Sequence, residues 1–158
     1  MNAIVCADAE WGIGMDGDLL VHISADLKRF KALTLGHAVI CGRKSLAGFP
    51  GGRPLPGRRN LVLSRDLAYC PEGAEVFRDL DSLLAAAPED AFVIGGEQVY
   101  RQLLPRCERV YVTRLDRALP ADTRFPDLDA DPAWEPVETE GPFRDGEMEF
   151  WYVTYRRL

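Results

Sequence analysis

The 158-residue chain carries 25 acidic against 19 basic side chains, a formal net charge of −6. Its length is one domain's worth, enough to bury roughly 70% of the unfolded surface around one core. With 47% hydrophobic and 28% charged residues it is ordinary globular material rather than a disordered chain, and no run approaches the roughly 18 apolar residues of a membrane span. The charge is unevenly spread. Residues 1–70 hold nine bases and six acids, net +3, whereas residues 71–158 hold ten bases and nineteen acids, net −9. An acidic chain is a poor nucleic-acid binder, but its first half can still receive small anions.

In chain order, short β-branched runs bounded by Gly, Pro and Asp predict strands at Ala3–Ala7, His37–Cys41, Asn60–Ser64, Ala74–Phe77, Ala91–Ile94, Val110–Arg114 and Phe150–Tyr155, with a weaker one at Trp134–Thr139. Between them lie helices. One opens on Ser24 as its N-cap and places Leu27, Phe30, Leu33 and Thr34 at helical spacing. A short helix starts at Ser45. Asp79–Ala87 forms a third, with Leu80, Leu83 and Leu84 on one face and Pro88 after it. Glu97–Leu104 forms a fourth, stopped by Pro105. Strands alternate with helices through residue 104, so most of the sheet is expected to be parallel and covered on both faces. Beyond residue 105 the pattern turns to strands and long loops, which suits an antiparallel pair closing the sheet edge. One α/β domain over residues 1–158 is expected.

The four cysteines and two histidines lack metal-site spacing, and no metal is expected. Cys6 and Cys41 sit in apolar runs and read as small buried hydrophobes. No signal-peptide pattern opens the chain, so a reducing, cytoplasmic setting is expected.

Gly12-Ile13-Gly14-Met15-Asp16-Gly17 matches the dinucleotide fingerprint in letters only, because no helix start follows it. Residues 8–23 read better as a flexible loop, long enough to be a lid. Asp26 lies in the first turn of its helix. There it either complements the helix dipole or, on the edge of an apolar face shared with Phe30, offers paired hydrogen bonds to an amidine-like ligand edge. Desolvation in such a place raises a carboxyl pKa toward acid/base use. Gly42-Arg43-Lys44-Ser45 follows a strand and fits either a basic turn or an anion site, with Ser45 as helix cap. Ser64-Arg65 ends the next strand similarly. The Arg53-Pro54-Leu55-Pro56-Gly57-Arg58-Arg59 loop carries three guanidinium groups and reads either as a surface turn or as a stiff mount for a guanidinium that takes a carboxylate bidentately. Gly95-Gly96, between strand and helix, fits a tight turn or a phosphate-binding turn.

These segments, in this order, resemble the dihydrofolate reductase family: Ile13-Gly14, Asp26-Leu27 with Phe30-Lys31, Val39 to Lys44, Arg53 to Asn60, Val93-Ile94-Gly95-Gly96, Tyr111-Val112-Thr113 and Asp122-Thr123-Arg124-Phe125-Pro126. The resemblance implies an eight-stranded, mostly parallel sheet with an antiparallel C-terminal edge and four flanking helices. It implies reduction of 7,8-dihydrofolate to tetrahydrofolate by a hydride from NADPH, in one-carbon metabolism, by a cytoplasmic monomer that binds no nucleic acid or membrane. A related reductase of another pterin-like or ribosylamino-pyrimidine substrate is the alternative. By the same likeness Asp26 would bond the pterin and aid N5 protonation through water, with Thr113 bonded to Asp26 and Leu19 of the lid near the ring. Ile4, Val5, Leu27, Phe30, Phe49, Leu55 and Ile94 would line the folate pocket, and Arg58 would take the α-carboxylate of the glutamate tail. Ala7, Ile13, Gly14, Ile94 and Thr123 would flank the nicotinamide end. Gly42, Arg43, Leu63, Ser64 and Arg65 would hold the adenosine 2′-phosphate end. Lys44, Ser45 and the turn Gly95, Gly96, Glu97, Gln98, Val99 and Tyr100 would hold the pyrophosphate, and Asp122 would tether the closed lid. Three positions depart from the common pattern: Leu20-Val21 replaces a Pro-Trp pair in the lid, Ala121 replaces a Gly, and Gln98 stands where some members are basic. His22, beside Val21, is expected to face solvent.

Overall fold

The computed structural model describes all of residues 1–158. In chain order the elements are β1 (Asn2–Ala7), β2 (Gly12–Met15), β3 (Asp18–Leu19), α1 (Ser24–Thr34), β4 (Ala38–Gly42), α2 (Arg43–Ala47), β5 (Arg59–Leu63) and β6 (Ala74–Phe77). They continue with α3 (Leu80–Ala86), β7 (Phe92–Gly95), α4 (Glu97–Leu103), β8 (Arg109–Leu115), β9 (Thr123–Arg124), β10 (Trp134–Asp145) and β11 (Met148–Arg157). The main sheet has eight strands in the order β10-β11-β8-β1-β7-β4-β5-β6. From β8 to β6 every pairing is parallel, and β11 and β10 close the other edge antiparallel. All the expected strands and the four helices are present.

The strands separate two apolar layers because successive residues point to opposite faces. Ala3, Val5 and Ala7 of β1, with Ala38 and Ile40 of β4, join Leu83 of α3 and Val99, Tyr100 and Leu103 of α4 in a cluster of 22 buried residues. On the opposite face Ile4, Val39 and Phe92 pack with Phe30 and Leu33 of α1, and Cys41 and Val62 pack with Leu46 of α2. The parallel strands β1, β7, β4 and β5 therefore end together at one carboxyl edge, with α1 and α2 on one face of it and α3 and α4 on the other. Open α/β sheets bind their ligands at such an edge.

Several boundaries differ from expectation. Ser24 is the first residue of α1 rather than its cap; Ile23 holds the cap position with no side-chain bond. Likewise α2 begins at Arg43, after Gly42, and Ser45 lies inside it. Asp79 does cap α3, its carboxylate accepting the Ser82 N–H at 2.8 Å. The C-terminal strands run longer than the apolar pattern suggests, because β10 is a largely exposed edge whose side chains carry little hydrophobic signal. Cys41 is buried, but Cys6 is only partly so.

The expected flexible loop over residues 8–23 is instead a built structure. It contains β2 and β3, which join β9 in a three-stranded antiparallel sheet. Its anchor is Asp8, fully buried, whose carboxylate accepts the N–H groups of Glu10, Gly12 and Leu119, each at 2.8 Å. The glycines serve close packing, not phosphate binding. A Cβ on Gly12 would lie 2.7 Å from the Ala121 Cβ and 2.8 Å from Asp8 Oδ2, and one on Gly14 would lie 2.6 Å from Thr123 Oγ1. Asp8→Ala strands three backbone donors, each costing about 1–3 kcal/mol when unsatisfied. The expected loss is about 3–5 kcal/mol of stability, measured as a fall in the urea unfolding midpoint.

Candidate active site

Asp26 projects from the first turn of α1 onto the face of the sheet where β1, β8 and β11 run side by side. Thr113 of β8 lies in register with Cys6 of β1 and with Tyr152 of β11. Buried Thr113 donates its hydroxyl hydrogen to Asp26 Oδ1 at 2.5 Å. The Arg29 guanidinium stacks over the Tyr152 ring at 4.0 Å and adds a positive field nearby. Burial raises the Asp26 pKa, opposed by the Thr113 hydrogen bond and by Arg29. A charge partly withdrawn from water, with only one strong donor, is the cause. The helix-dipole role does not exhaust this residue, because its carboxylate also takes the Thr113 bond from β8.

Several of the residues that the resemblance assigns to a ligand pocket are gathered on this face of the sheet. Ile4, Phe30, Leu55 and Ile94 pack around Val39 and Phe92, and Phe49 and Ile94 continue toward α2. Val5 differs, since its side chain turns to the opposite face among the large cluster. Only its backbone faces Asp26's side, as the pleat requires. Leu27 is exposed on α1, and Leu19 is exposed on β3. At the outer end Arg58 is held by two bonds, Nη1–H to Thr34 Oγ1 at 3.2 Å and Nε–H to the Pro56 carbonyl at 3.0 Å. Its Nη2 edge remains open. Buried Asn60 shapes this loop by accepting the Leu55 N–H at 3.0 Å and donating to the Leu55 and Arg58 carbonyls, both at 2.9 Å.

A second group of residues gathers along the carboxyl edge. Gly42 and Leu63 are register partners on β4 and β5, so Arg43 and the Ser64-Arg65 pair leave the sheet side by side. Ser64 is buried, while Lys44 and Arg65 are exposed. On the other side of β4, at the end of β7, Gly95 and Gly96 lie against Ser45: a Cβ on them would come within 3.0 Å and 3.3 Å, respectively, of Ser45 Oγ. Gly95 also has φ +145°, and the Gly95–Gly96 peptide is cis. Gln98 is exposed on α4, and Glu97 accepts the Arg101 side chain and the Arg124 N–H, each at 3.2 Å. Tyr100 and Val99 instead point into the core, and the Tyr100 hydroxyl donates to the Ile4 carbonyl at 2.7 Å. Ala7 and Ile13 are buried. The segment over residues 8–23 is tied by Asp122, whose carboxylate accepts the Asp16 N–H at 3.0 Å and whose N–H donates to the Gly14 carbonyl at 2.9 Å. Exposed His22 pairs with Asp18 at 3.1 Å, facing solvent as expected. A separate cavity of about 630 Å³, walled by Trp11, Phe125 and three arginines, lies away from Asp26.

A sequence model described as dihydrofolate reductase matches residues 1–157. The chain belongs to the dihydrofolate reductase family. It is accordingly an NADPH-dependent oxidoreductase. It is 35% identical to the dihydrofolate reductase of Staphylococcus haemolyticus, over 100% of this chain and 96% of that one. It is 44% identical to dihydrofolate reductase HdrB of Haloferax volcanii over 92% of this chain and 77% of that one. Among solved structures it resembles the dihydrofolate reductase from Enterococcus faecalis complexed with NADP(H) and RAB-propyl, with a TM-score of 0.87, 35% identity, and 99% and 95% of the two chains covered.

Two buried polar groups that fix loop backbone, Asp8 and Asn60, are not among the expected site residues. Both are lone polar residues beside apolar runs, and only the structure shows them buried and bonded on every side.

Because the fold raises the Asp26 pKa, the native state holds that proton more tightly than the unfolded chain does. Its contribution to stability is complete below the ordinary aspartate range near ~4 and is lost as pH rises through the raised value. Asp26→Asn removes this slope. The variant is expected to melt above the parent at pH 7 and to lose that advantage below about pH 4, as thermal melts across pH will show.

Proposed function

We propose that the chain reduces 7,8-dihydrofolate to 5,6,7,8-tetrahydrofolate, taking a hydride from NADPH at C6 and a proton at N5. The observation that carries this is Asp26: one half-buried carboxylate, held by Thr113, on the helix that also packs Phe30 against Ile4. The residues present fit the cofactor. The Gly95-Gly96 pair offers bare backbone against Ser45, and Arg43, Lys44 and Arg65 add cations after the neighbouring strands β4 and β5, as a pyrophosphate and a 2′-phosphate require. NADPH, when bound, supplies the hydride, which no side chain can.

The chain's own part is positioning and proton supply. Asp26 accepts from the 2-amino group and N3 of the pterin, a planar paired donor edge that a carboxylate matches. Thr113 fixes the Asp26 rotamer through its bond to Oδ1 and can reach the same amino group. With its pKa raised by burial, Asp26 keeps a protonated fraction nearer neutrality and favours delivery of a proton to N5 through water. Ile4, Phe30 and Ile94 bury the ring, with Phe49 and Leu55 beyond, while Arg58 takes the α-carboxylate on its free edge. Ala7, Ile13, Gly14 and Thr123 bound the nicotinamide end, and Leu19 of the lid covers the ring and excludes water. A substrate without a glutamate tail leaves Arg58 with no use, which favours dihydrofolate over other pterins. On this reading the chain acts alone, on small molecules in the cytoplasm, as one domain over residues 1–158 and without nucleic acid. No helix is long and apolar enough to cross a membrane.

Purified protein with dihydrofolate and NADPH is expected to consume reduced cofactor. Cofactor binding without turnover overturns the proposal. Asp26→Asn is expected to lower turnover at pH 7 on the order of 10²-fold or more, with NADPH affinity retained. Equal losses in both contradict the role given to Asp26. Arg58→Gln is expected to raise the KM for dihydrofolate about tenfold, while kcat changes little.

A further inference from the structure

The basic groups at the adenosine end of the edge, Arg43 and Arg65, have an acidic neighbour that the proposed reaction does not use. Arg43 Nη1 lies 3.1 Å from Asp66 Oδ2. Asp66 does not depend on this pair for its position. Its Oδ1 accepts the Ala68 N–H at 3.0 Å, and its own N–H donates to Ser64 Oγ at 3.2 Å. The turn that carries it is clamped by Arg78, which donates to the carbonyls of Asp66, Leu67 and Tyr69. Nor does Arg43 depend on Asp66 alone, because its guanidinium also lies over the Tyr69 ring, 5.4 Å from the centroid. The carboxylate therefore stays in place whatever Arg43 binds.

That has a consequence for the cofactor. A phosphate within hydrogen-bond range of Arg43 sits within roughly 6 Å of the Asp66 carboxylate, inside the screening length of about 8 Å at physiological salt. Two anions then share one guanidinium and repel each other. A ribose 2′-hydroxyl faces no such repulsion. It is a donor, and a carboxylate beside it is how dinucleotide sites accept the unphosphorylated cofactor. Ser64 Oγ already accepts from Asp66, which leaves its own hydrogen and one lone pair for a ligand.

We propose that Asp66 sets the cofactor preference of this enzyme: its fixed carboxylate weakens the grip of Arg43 on the 2′-phosphate and offers an acceptor to a 2′-hydroxyl, so that NADH also serves as a donor. This rests on the assignment of Arg43, Ser64 and Arg65 to the 2′-phosphate end. Asp66 is a specificity-determining residue; the hydride and proton steps do not touch it.

The test is equilibrium binding, by calorimetry without dihydrofolate, of NADPH, NADH, adenosine 2′,5′-bisphosphate and ADP to the parent and to Asp66→Asn. The variant is expected to bind NADPH and adenosine 2′,5′-bisphosphate roughly five- to tenfold more tightly, and NADH about twofold more weakly. The gain shrinks at 1 M salt. Asp66→Ser, whose hydroxyl can still accept the Ala68 N–H, gives the same shift should the Asn variant fail to fold. Unchanged or weakened NADPH binding in a folded variant overturns the inference. A parent that binds neither dinucleotide overturns instead the assignment of the cofactor edge.

Discussion

The arrangement depends on one constraint: a carboxylate must sit at the edge of an apolar face without losing all its hydrogen bonds. Asp26 meets it with a single strong donor, Thr113, that arrives from a strand far away in sequence. That donor exists only if β8 pairs with β1, placing Thr113 opposite Cys6, and if β11 pairs with β8 on the far side. The sheet order is thus not incidental to the chemistry. A late strand is laid beside the first one, and an antiparallel hairpin outside β8 protects the pairing from solvent. Removing water from Asp26 raises its pKa, and the one retained bond opposes the rise.

The same sheet separates two electrostatic tasks. Its carboxyl edge gathers Arg43, Lys44, Ser64 and Arg65 because β4 and β5 are parallel neighbours in register. Those bases all lie in the first half of the chain, the half with net charge +3. The acids that outweigh them fall mainly after residue 71, on long loops and on the exposed β10 edge, where charge resists edge-to-edge pairing. An overall charge of −6 and two anionic ligands are therefore compatible.

Much of this was legible in the sequence because it rests on local patterns. Strands β1, β4, β5 and β7 are short apolar runs ended by Gly or by polar residues, and parallel order follows from the helices between them. Asp26 and the Gly95-Gly96 turn stand out against such runs. What was not legible depends on contacts distant in sequence. The acceptor role of Asp8 toward Leu119 spans 111 residues. The helix starts at Ser24 and Arg43 were misplaced because capping letters were present where the backbone had already turned helical. Val5 was placed in the pocket by likeness, yet the two-residue period of β1 sends its side chain to the other face. Tyr100 likewise serves the core, where its hydroxyl satisfies the Ile4 carbonyl.

The lid shows why glycine content is a poor guide to mobility. Three glycines in residues 12–17 suggest a free loop, yet two of them are sites where no Cβ fits. Gly12 lets the strand pass over Asp8 and Ala121, and Gly14 lets it pass Thr123. The segment is instead pinned at two carboxylates of different kinds. Asp8 is buried with three donors on it, so its release exposes three backbone groups at once. Asp122 holds Asp16 at the surface by one bond, in competition with water. The surface tie is the weaker of the two, so β3, with exposed Leu19 on it, is held less firmly than β2, which also pairs with β9. Val21 and Ile23 pack beside Cys6 and Leu115 at the inner end, so burial fixes the chain again before α1 begins.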